Sequence, residues 1–461
     1  MGLTALPMQR AGLCENKCAD RNPFGILQPS VYAVLPQEKC ENKCAAIATN
    51  HLRWLHHSIS RMPAPMTLIT DKNWLNPILP ETLPASILEK ADRLPAKAAF
   101  LAGRLAPETA KRLSKLLRIT NTYYSNMIEG QYTEPAAMQR AQNAPKRERK
   151  LLKDLAVKHM EVQRLFERAL GRYPSEFKDM FSPALIRAVH SRLFSDTDEN
   201  SRRLSDGRVL VPGALRGAPD EEVYVGNHDA PAAASVQSML VHLQTGFGTI
   251  RDPRRRLIAA LAYHHRLAWV HPFLDGNGRV ARMMTHLQLV QIGLQPYLWS
   301  LSRGLARRHE EYYRALALAD RPREGDLDGR GQMSQKHYFA FIDFMLDVCH
   351  DQVDYMTSAL DRTKLRNRVL RAFKTNEKLL DAGIRPESGP AVVALLMQGS
   401  LPRNEFKTFT GLPPRASIDE LTRLTKAGIV VSPTPKARTL EPGLPTWFAQ
   451  DIFPDLHRRF Q

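Results

Sequence analysis

The stretch His271-Pro272-Phe273-Leu274-Asp275-Gly276-Asn277-Gly278-Arg279-Val280-Ala281-Arg282 decides how this chain is read. It brings a base, an acid, two glycines, an amide and two arginines together. Apolar residues recur with a helical period on either side, from Leu257 to Val270 and from Val280 to Leu294. Gly276-Asn277-Gly278 is therefore expected to turn into a helix N-terminus, where amides without intrahelical acceptors and the positive end of the macrodipole attract an anion. Glycines permit positive φ and let a phosphate come close to the backbone. Arg279 and Arg282, three apart, share a helix face and can both reach a polyphosphate. Asp275 offers a hard oxygen for Mg²⁺, which keeps several waters and bridges to phosphates. His271 suits general-base work near neutral pH. Alone, a Gly-x-Gly beside an arginine is ordinarily a tight turn, and a single histidine is ordinarily structural. The combination points to nucleotide chemistry.

The same residues match His-x-Phe-x-[Asp/Glu]-Gly-Asn-Gly-Arg-x-x-Arg at every fixed position. This resembles the active-site loop of the Fic family, whose typical members transfer AMP from ATP to a protein hydroxyl. The resemblance implies a mainly α fold, a helical core with a β-hairpin flap. It also implies a role for each residue. His271 takes the proton of a Ser, Thr or Tyr hydroxyl, and Phe273 pins the loop to the core. Asp275 holds Mg²⁺. Gly276, Asn277 and Gly278 bind phosphate oxygens, largely through backbone amides, and Arg279 and Arg282 contact the β- and γ-phosphates. Leu267-Ala268 departs from the Phe-Glu found there in many members.

Ser125-Asn126-Met127-Ile128-Glu129-Gly130 ends a helical pattern that begins near Ala110. By itself, a glutamate before a glycine at a helix end is ordinarily a solvated terminal residue. The segment resembles the family's inhibitory helix, [Ser/Thr]-x-x-x-Glu-[Gly/Asn], placed N-terminal to the core. The resemblance implies that Glu129 reaches Arg282 and takes the γ-phosphate position, with Ser125 four residues away on the same face. A carboxylate and a phosphate both make bidentate contacts with a guanidinium, so competition between them can act as a switch.

Pro212 to Arg216 and Val223 to Gly226 read as a β-hairpin with a polar tip at Asp220-Glu221-Glu222. In the family a flap beside the active site pairs with the target's backbone. That reading assigns target docking to Gly213, Arg216, Val223, Tyr224, Val225 and Gly226. An ordinary surface hairpin is the plainer alternative.

With 461 residues, 43% hydrophobic and 24% charged, the chain is long enough for two or three domains and a sizeable core. It has no run of eighteen apolar residues, so no membrane span is expected. No secretory signal is apparent, and a cytoplasmic location is expected. The formal charge of +18 favours anionic partners in general. The basic run Lys146 to Lys150 carries an acidic interruption and reads as a solvated helix face. Cys-Glu-Asn-Lys-Cys-Ala occurs twice, placing Cys14, Cys18, Cys40 and Cys44 in a repeat. A Cys₄ zinc site is conceivable from it, but the spacing is loose and knuckle glycines are lacking. Cys349 reads as a small core residue.

Four parts follow. Residues 1–61 read as a disordered leader or a mis-assigned start, with Met62 or Met66 as the shorter opening. Residues 62–175 form a helical N-terminal region with the inhibitory helix, and 176–360 the catalytic core, which includes a Gly/Asp-rich loop at 323–331. In residues 363–461, Val392 to Met397, Arg403 to Phe409 and Ala416 to Ala427 read as three helices. Two strands follow, around Ile429-Val430-Val431 and Thr439-Leu440. This order resembles a small winged-helix (α+β) domain, as found in some long Fic proteins. Arg403, Lys407, Arg415, Arg423, Lys426, Lys436 and Arg438 would suit phosphate contacts, whereas Asp419 and Glu420 oppose them, so DNA and protein partners both stay open. The expected protein is an autoinhibited adenylyltransferase that uses ATP and Mg²⁺ on a protein hydroxyl. A DNA-binding regulator with a nucleotide-sensing core and an enzyme that removes AMP are the other readings. A homodimer is among the expectations, since dimers are common in the family.

Overall fold

The computed structural model describes residues 68–144, 155–173, 175–195, 197, 199–225, 228–434 and 437–459. The cysteine repeat, the basic run, Gly226 and Lys436 lie outside them. Residues 68–204 and 209–461 form one compact unit, described below; Ser205–Arg208 belong to another.

Helix α1 (Ala85–Gly103) buries one face, whereas α2 (Pro107–Ile128) is buried on every face from Leu116 to Asn126. After α3 (Pro135–Asn143), α4 (Leu155–Leu170), α5 (Pro183–Phe194), α6 (Glu199–Arg202) and α7 (Val236–Gly248) come the two helices that flank the glycine turn. These are α8 (Pro253–Val270) and α9 (Asn277–Gln291). Both are buried almost all round, the pattern of helices at the centre of a core. Asp252 caps α8 by accepting the Arg255 N–H at 2.8 Å, and Pro253 stands at the first helical position.

Central helices must satisfy their polar side chains internally. Glu167 of α4 meets Arg118 of α2 at 2.8 Å and His286 of α9 at 2.8 Å. Gln163 receives a hydrogen bond from Asn121 at 3.1 Å. This buried network ties α2 to α9, and so joins the helix ending at Glu129 to the helix carrying both arginines.

Beyond α9, α10 (Leu301–Arg307), α11 (His309–Ala319) and α12 (Gln335–Ala359) complete the core, with Cys349 fully buried in α12. The C-terminal portion comprises α13 (Arg362–Thr375), α14 (Glu377–Asp381), α15 (Gly389–Gln398), α16 (Arg403–Phe409), α17 (Pro414–Lys426) and α18 (Thr446–Ile452). Its sheet has three strands rather than the two read from the sequence. Leu401–Pro402 (β3) and Val430–Val431 (β4) both pair antiparallel with Thr439–Pro442 (β5). This portion packs on α2: Arg112 meets Glu441 at 2.7 Å, and Thr109 donates to the Leu396 carbonyl at 2.8 Å.

The hairpin differs from the one expected. Tyr224–Val225 (β1) pairs with His228–Asp229 (β2), not with Pro212 to Arg216. Pro219–Glu221 forms a 3₁₀ turn, closed by Glu221 accepting the Gly217 and Ala218 N–H groups at 2.7 and 2.9 Å. The upstream segment is drawn inward instead, for a reason that lies in Arg216.

Candidate active site

Helix α8 ends on His271, which adopts left-handed backbone angles (φ 48°, ψ 62°). A non-glycine residue holds that conformation only where its surroundings impose it. Arg216 supplies the constraint. Its buried guanidinium donates to the carbonyls of His271 (2.7 Å), Pro231 (2.8 Å) and Val270 (3.2 Å) and pairs with Glu222 at 3.5 Å. A cation among the last carbonyls of a helix also meets the negative end of its dipole. Arg216 is thus turned away from the surface. Gly213 is internal too: its N–H donates to His190 Nδ1 at 2.8 Å. Val223 leads into β1, and Tyr224 is 56% exposed.

His190 has no counterpart in the sequence reading. Accepting from Gly213 leaves its proton on Nε2, which faces the Asp275 carbonyl at 3.2 Å. Its ring stacks on Phe273, centroids 3.8 Å apart, and burial holds its pKa down at about 4. It therefore works as a neutral brace between the Gly213 segment and the loop. Phe273 is fully buried. The Asn277 side chain closes the loop, accepting the Phe273 N–H at 2.9 Å and donating to the Phe273 carbonyl at 2.7 Å. That amide shapes the loop and does not face an anion; only the backbone N–H of Asn277 is available for phosphate.

Gly276 has φ 81°, and a Cβ there would strike the Phe194 ring, so glycine is required. The amides of Asn277, Gly278 and Arg279 open α9 and have no intrahelical acceptor. Arg279 and Arg282 are buried on that helix. Arg279 meets Asp275 Oδ2 at 3.2 Å and Gln131 Oε1 at 3.3 Å and lies over the Phe194 ring. Arg282 donates from Nε to Ser125 Oγ (3.0 Å), and from Nη2 to the Ser125 carbonyl (2.8 Å) and Glu129 Oε1 (2.5 Å). A Cβ on Gly278 would run into Glu129. Loop, helix N-terminus, both arginines and the carboxylate of Glu129 therefore share one site.

His271 is partly exposed at the edge of this site. Burial, with the neighbouring His228 and Arg216, lowers its pKa from the usual imidazole value and favours the neutral ring. Asp275 is the carboxylate at the mouth, with its side chain 47% exposed. Among the described residues no three His, Cys, Asp or Glu side chains gather into a metal cage. One open carboxylate fits Mg²⁺ nonetheless, because that ion takes one or two protein carboxylates and fills the rest of its shell with phosphate and water. No helix among the described residues is long and apolar enough to cross a membrane.

A histidine at one helix end, a glycine turn opening the next helix, two arginines behind it and the Glu129 carboxylate thus come together. Residues 180–289 match the Fic/DOC family, and the chain accordingly carries a Fic domain. The protein adenylyltransferase Fic of Drosophila virilis is 30% identical over 183 residues, 39% of this chain and 33% of that one. The protein of the same name from Drosophila persimilis is 28% identical over 107 residues, 23% of this chain and 20% of its own. The matches thus span a fifth to a third of these relatives. Among solved structures, a Fic family protein from Desulfovibrio desulfuricans G20 aligns over 79% of this chain and 97% of its own, with 20% identity and a TM-score of 0.43.

Proposed function

We propose that this protein is an adenylyltransferase that moves AMP from ATP to a hydroxyl side chain of a target protein, held inactive by its own Glu129. The observation that carries this reading is the Glu129 carboxylate on Arg282, above Gly278 at the start of α9. An acidic group of the chain lies where a nucleotide's terminal phosphate would be held.

In the transfer, the target's hydroxyl oxygen attacks the α-phosphorus of ATP. A bond forms between them, the bond to the β-phosphate oxygen breaks, and pyrophosphate leaves. His271 accepts the hydroxyl proton. The amides of Asn277, Gly278 and Arg279 face the phosphate oxygens. Arg279 and Arg282 place positive charge near the departing pyrophosphate, where negative charge accumulates. Asp275 would hold Mg²⁺, which neutralises phosphate charge when bound. Strand β1, with Tyr224 exposed, offers an edge on which a target backbone can add.

We also propose that residues 363–461 form a winged-helix domain, on the order helix, strand, two helices and two further strands. Glu420 favours a stable module of this kind: it is fully buried and accepts the Arg385 N–H at 2.7 Å and the Ser388 hydroxyl at 2.9 Å.

The test is transfer of label from ATP marked at the α-phosphate, with Mg²⁺ and a cell lysate. Wild type, Glu129→Gly and Glu129→Gly/His271→Ala are compared. Protein-bound label far above wild type in Glu129→Gly, and absent from the double variant, is the expected result. Absence of label in all three, with ATP binding intact, overturns the reading in favour of another nucleotide or of AMP removal.

A further inference from the structure

The flap strand β2 is anchored beside the catalytic histidine by a carboxylate from a distant part of the chain. Asp320 immediately follows α11. Its Oδ1 accepts from His265 Nε2 at 2.9 Å, and its Oδ2 lies 3.3 Å from His228 Nδ1. The other ring nitrogen of His228, Nε2, lies 2.9 Å from the Trp269 carbonyl in the last turn of α8. The two imidazole centroids of His228 and His271 are 6.4 Å apart.

The chemistry of these partners sets the protonation. A carbonyl oxygen only accepts, and so does an ionised carboxylate. Both nitrogens of His228 face acceptors, so forming both contacts requires a proton on each, which makes the ring an imidazolium. His265 differs. It donates from Nε2 to Asp320, and its buried Nδ1 has no hydrogen-bond partner among the described residues, so it is neutral. Burial opposes charge on Asp320, but hydrogen bonds from His228 and His265 hold its carboxyl well below the usual range. Among the described residues, the charged or titratable groups near His228 include Asp320 after α11, His265 of α8, His271 at the end of α8, and Arg216, which Glu222 neutralises in part.

We propose that Asp320 is a positioning residue for the transfer: by holding His228 as an imidazolium against the end of α8, it fixes the flap strand at His271. The proposal rests on the adenylyltransferase reading and adds to it a residue that meets neither nucleotide nor target. Three elements meet at one carboxylate. The end of α11 supplies the acid, α8 supplies His265, the Trp269 carbonyl and His271, and β2 supplies His228. Loss of the acid leaves His228 with one acceptor and no charge to balance a second proton. The flap edge then shifts relative to His271, and misplacement at that scale slows a transfer by about ten- to a hundredfold. The proposed nucleotide site is built on the start of α9, which supplies none of these contacts, and keeps its affinity for ATP.

The experiment has two arms on the full chain. In the first, ¹⁵N-histidine spectra are recorded against pH for wild type and Asp320→Asn, with His228→Gln assigning the signal. The expected result is that His228 keeps both ring protons to a higher pH in wild type than in Asp320→Asn; identical titrations overturn the proposal. In the second, self-labelling from ATP is measured in the Glu129→Gly form, with Asp320→Asn or His228→Gln added. A kcat about ten- to a hundredfold lower with KM for ATP within about twofold is expected from either variant, so a folding defect peculiar to one of them does not decide the outcome. A raised KM for ATP at unchanged kcat overturns it. Absence of labelling from the Glu129→Gly parent would instead sink the adenylyltransferase reading, and the spectra would still decide the anchor.

Discussion

Glu129 and Arg282 are 153 residues apart in sequence and meet at 2.5 Å, with Ser125 closing on the same guanidinium from the turn before. Arg282 is buried, so its charge depends on these partners. Removing Glu129 leaves the guanidinium with two neutral acceptors and lowers stability by about 2 kcal/mol, the worth of a hydrogen bond to a charged group. Melting of Glu129→Gly should fall below wild type without nucleotide and recover with ATP and Mg²⁺. A variant as stable as wild type, with no gain from ATP, would show that no phosphate replaces the carboxylate.

Arg216 reads several carbonyl oxygens with one planar fork, and a lysine ammonium cannot reproduce that arrangement. Arg216→Lys in the Glu129→Gly form should therefore lose about ten- to a hundredfold in transfer rate while binding ATP normally. Labelling kinetics beside calorimetric ATP titration would separate the two effects.

Asn277→Ala removes both hydrogen bonds that close the loop on Phe273. Each contributes about 1 kcal/mol, and the Phe273 backbone groups lose their partner. The variant should be less stable by about 2–3 kcal/mol in denaturant unfolding. It should also bind ATP more weakly, since the glycine turn loses its brace. Weaker transfer at unchanged ATP affinity would count against the bracing role.

The pH dependence of transfer follows from His271. A base works in its unprotonated form, which prevails above its pKa. Burial, His228 and Arg216 all depress that value, while Glu129 raises it and is absent from the activated variant. In Glu129→Gly, kcat at saturating ATP should stay level as pH falls through about 6.5, where a free imidazole is half protonated. A half-maximal rate at that pH would show an ordinary histidine.

Stability in acid is governed in part by Glu167. Burial disfavours its charge, but His286 and Arg118 outweigh that and hold its pKa at about 2. The folded value is depressed, so the stabilisation is complete above the ordinary glutamate value of about 4.3. It is lost as the pH falls from there towards 2. Glu167→Gln should unfold more easily at pH 7, by roughly 3–5 kcal/mol for a broken buried pair. It should also lose less stability than wild type between pH 5 and pH 3.

Much of the site was legible in the residues because it is local. The glycine turn, the arginines three apart and the histidine at a helix end all lie within one short stretch. Ser125 and Glu129 are legible for a similar reason, since a spacing of four puts both on one face of α2. The hairpin was misplaced because alternation marks a segment able to form a strand but does not name its partner. Arg216 could not stay in a strand edge while its guanidinium was drawn to the end of α8. That the Asn277 side chain closes on the Phe273 backbone was not read from the sequence, because nothing nearby marks Phe273 as its partner.

The amino-acid sequence by itself determined the helical segments, the caps that start them and the order of groups in the loop, since these depend on neighbours within a turn or two. Only the tertiary structure decided which distant side chains complete them. Gln131 reaches Arg279, His190 joins the Gly213 segment to the loop, and Asp320 binds His228 beside His271. The reason is that a buried polar group must find a partner wherever packing brings one within about 3 Å. Such partners are set by how α2, α8 and α9 lie against their neighbours, which no local spacing records.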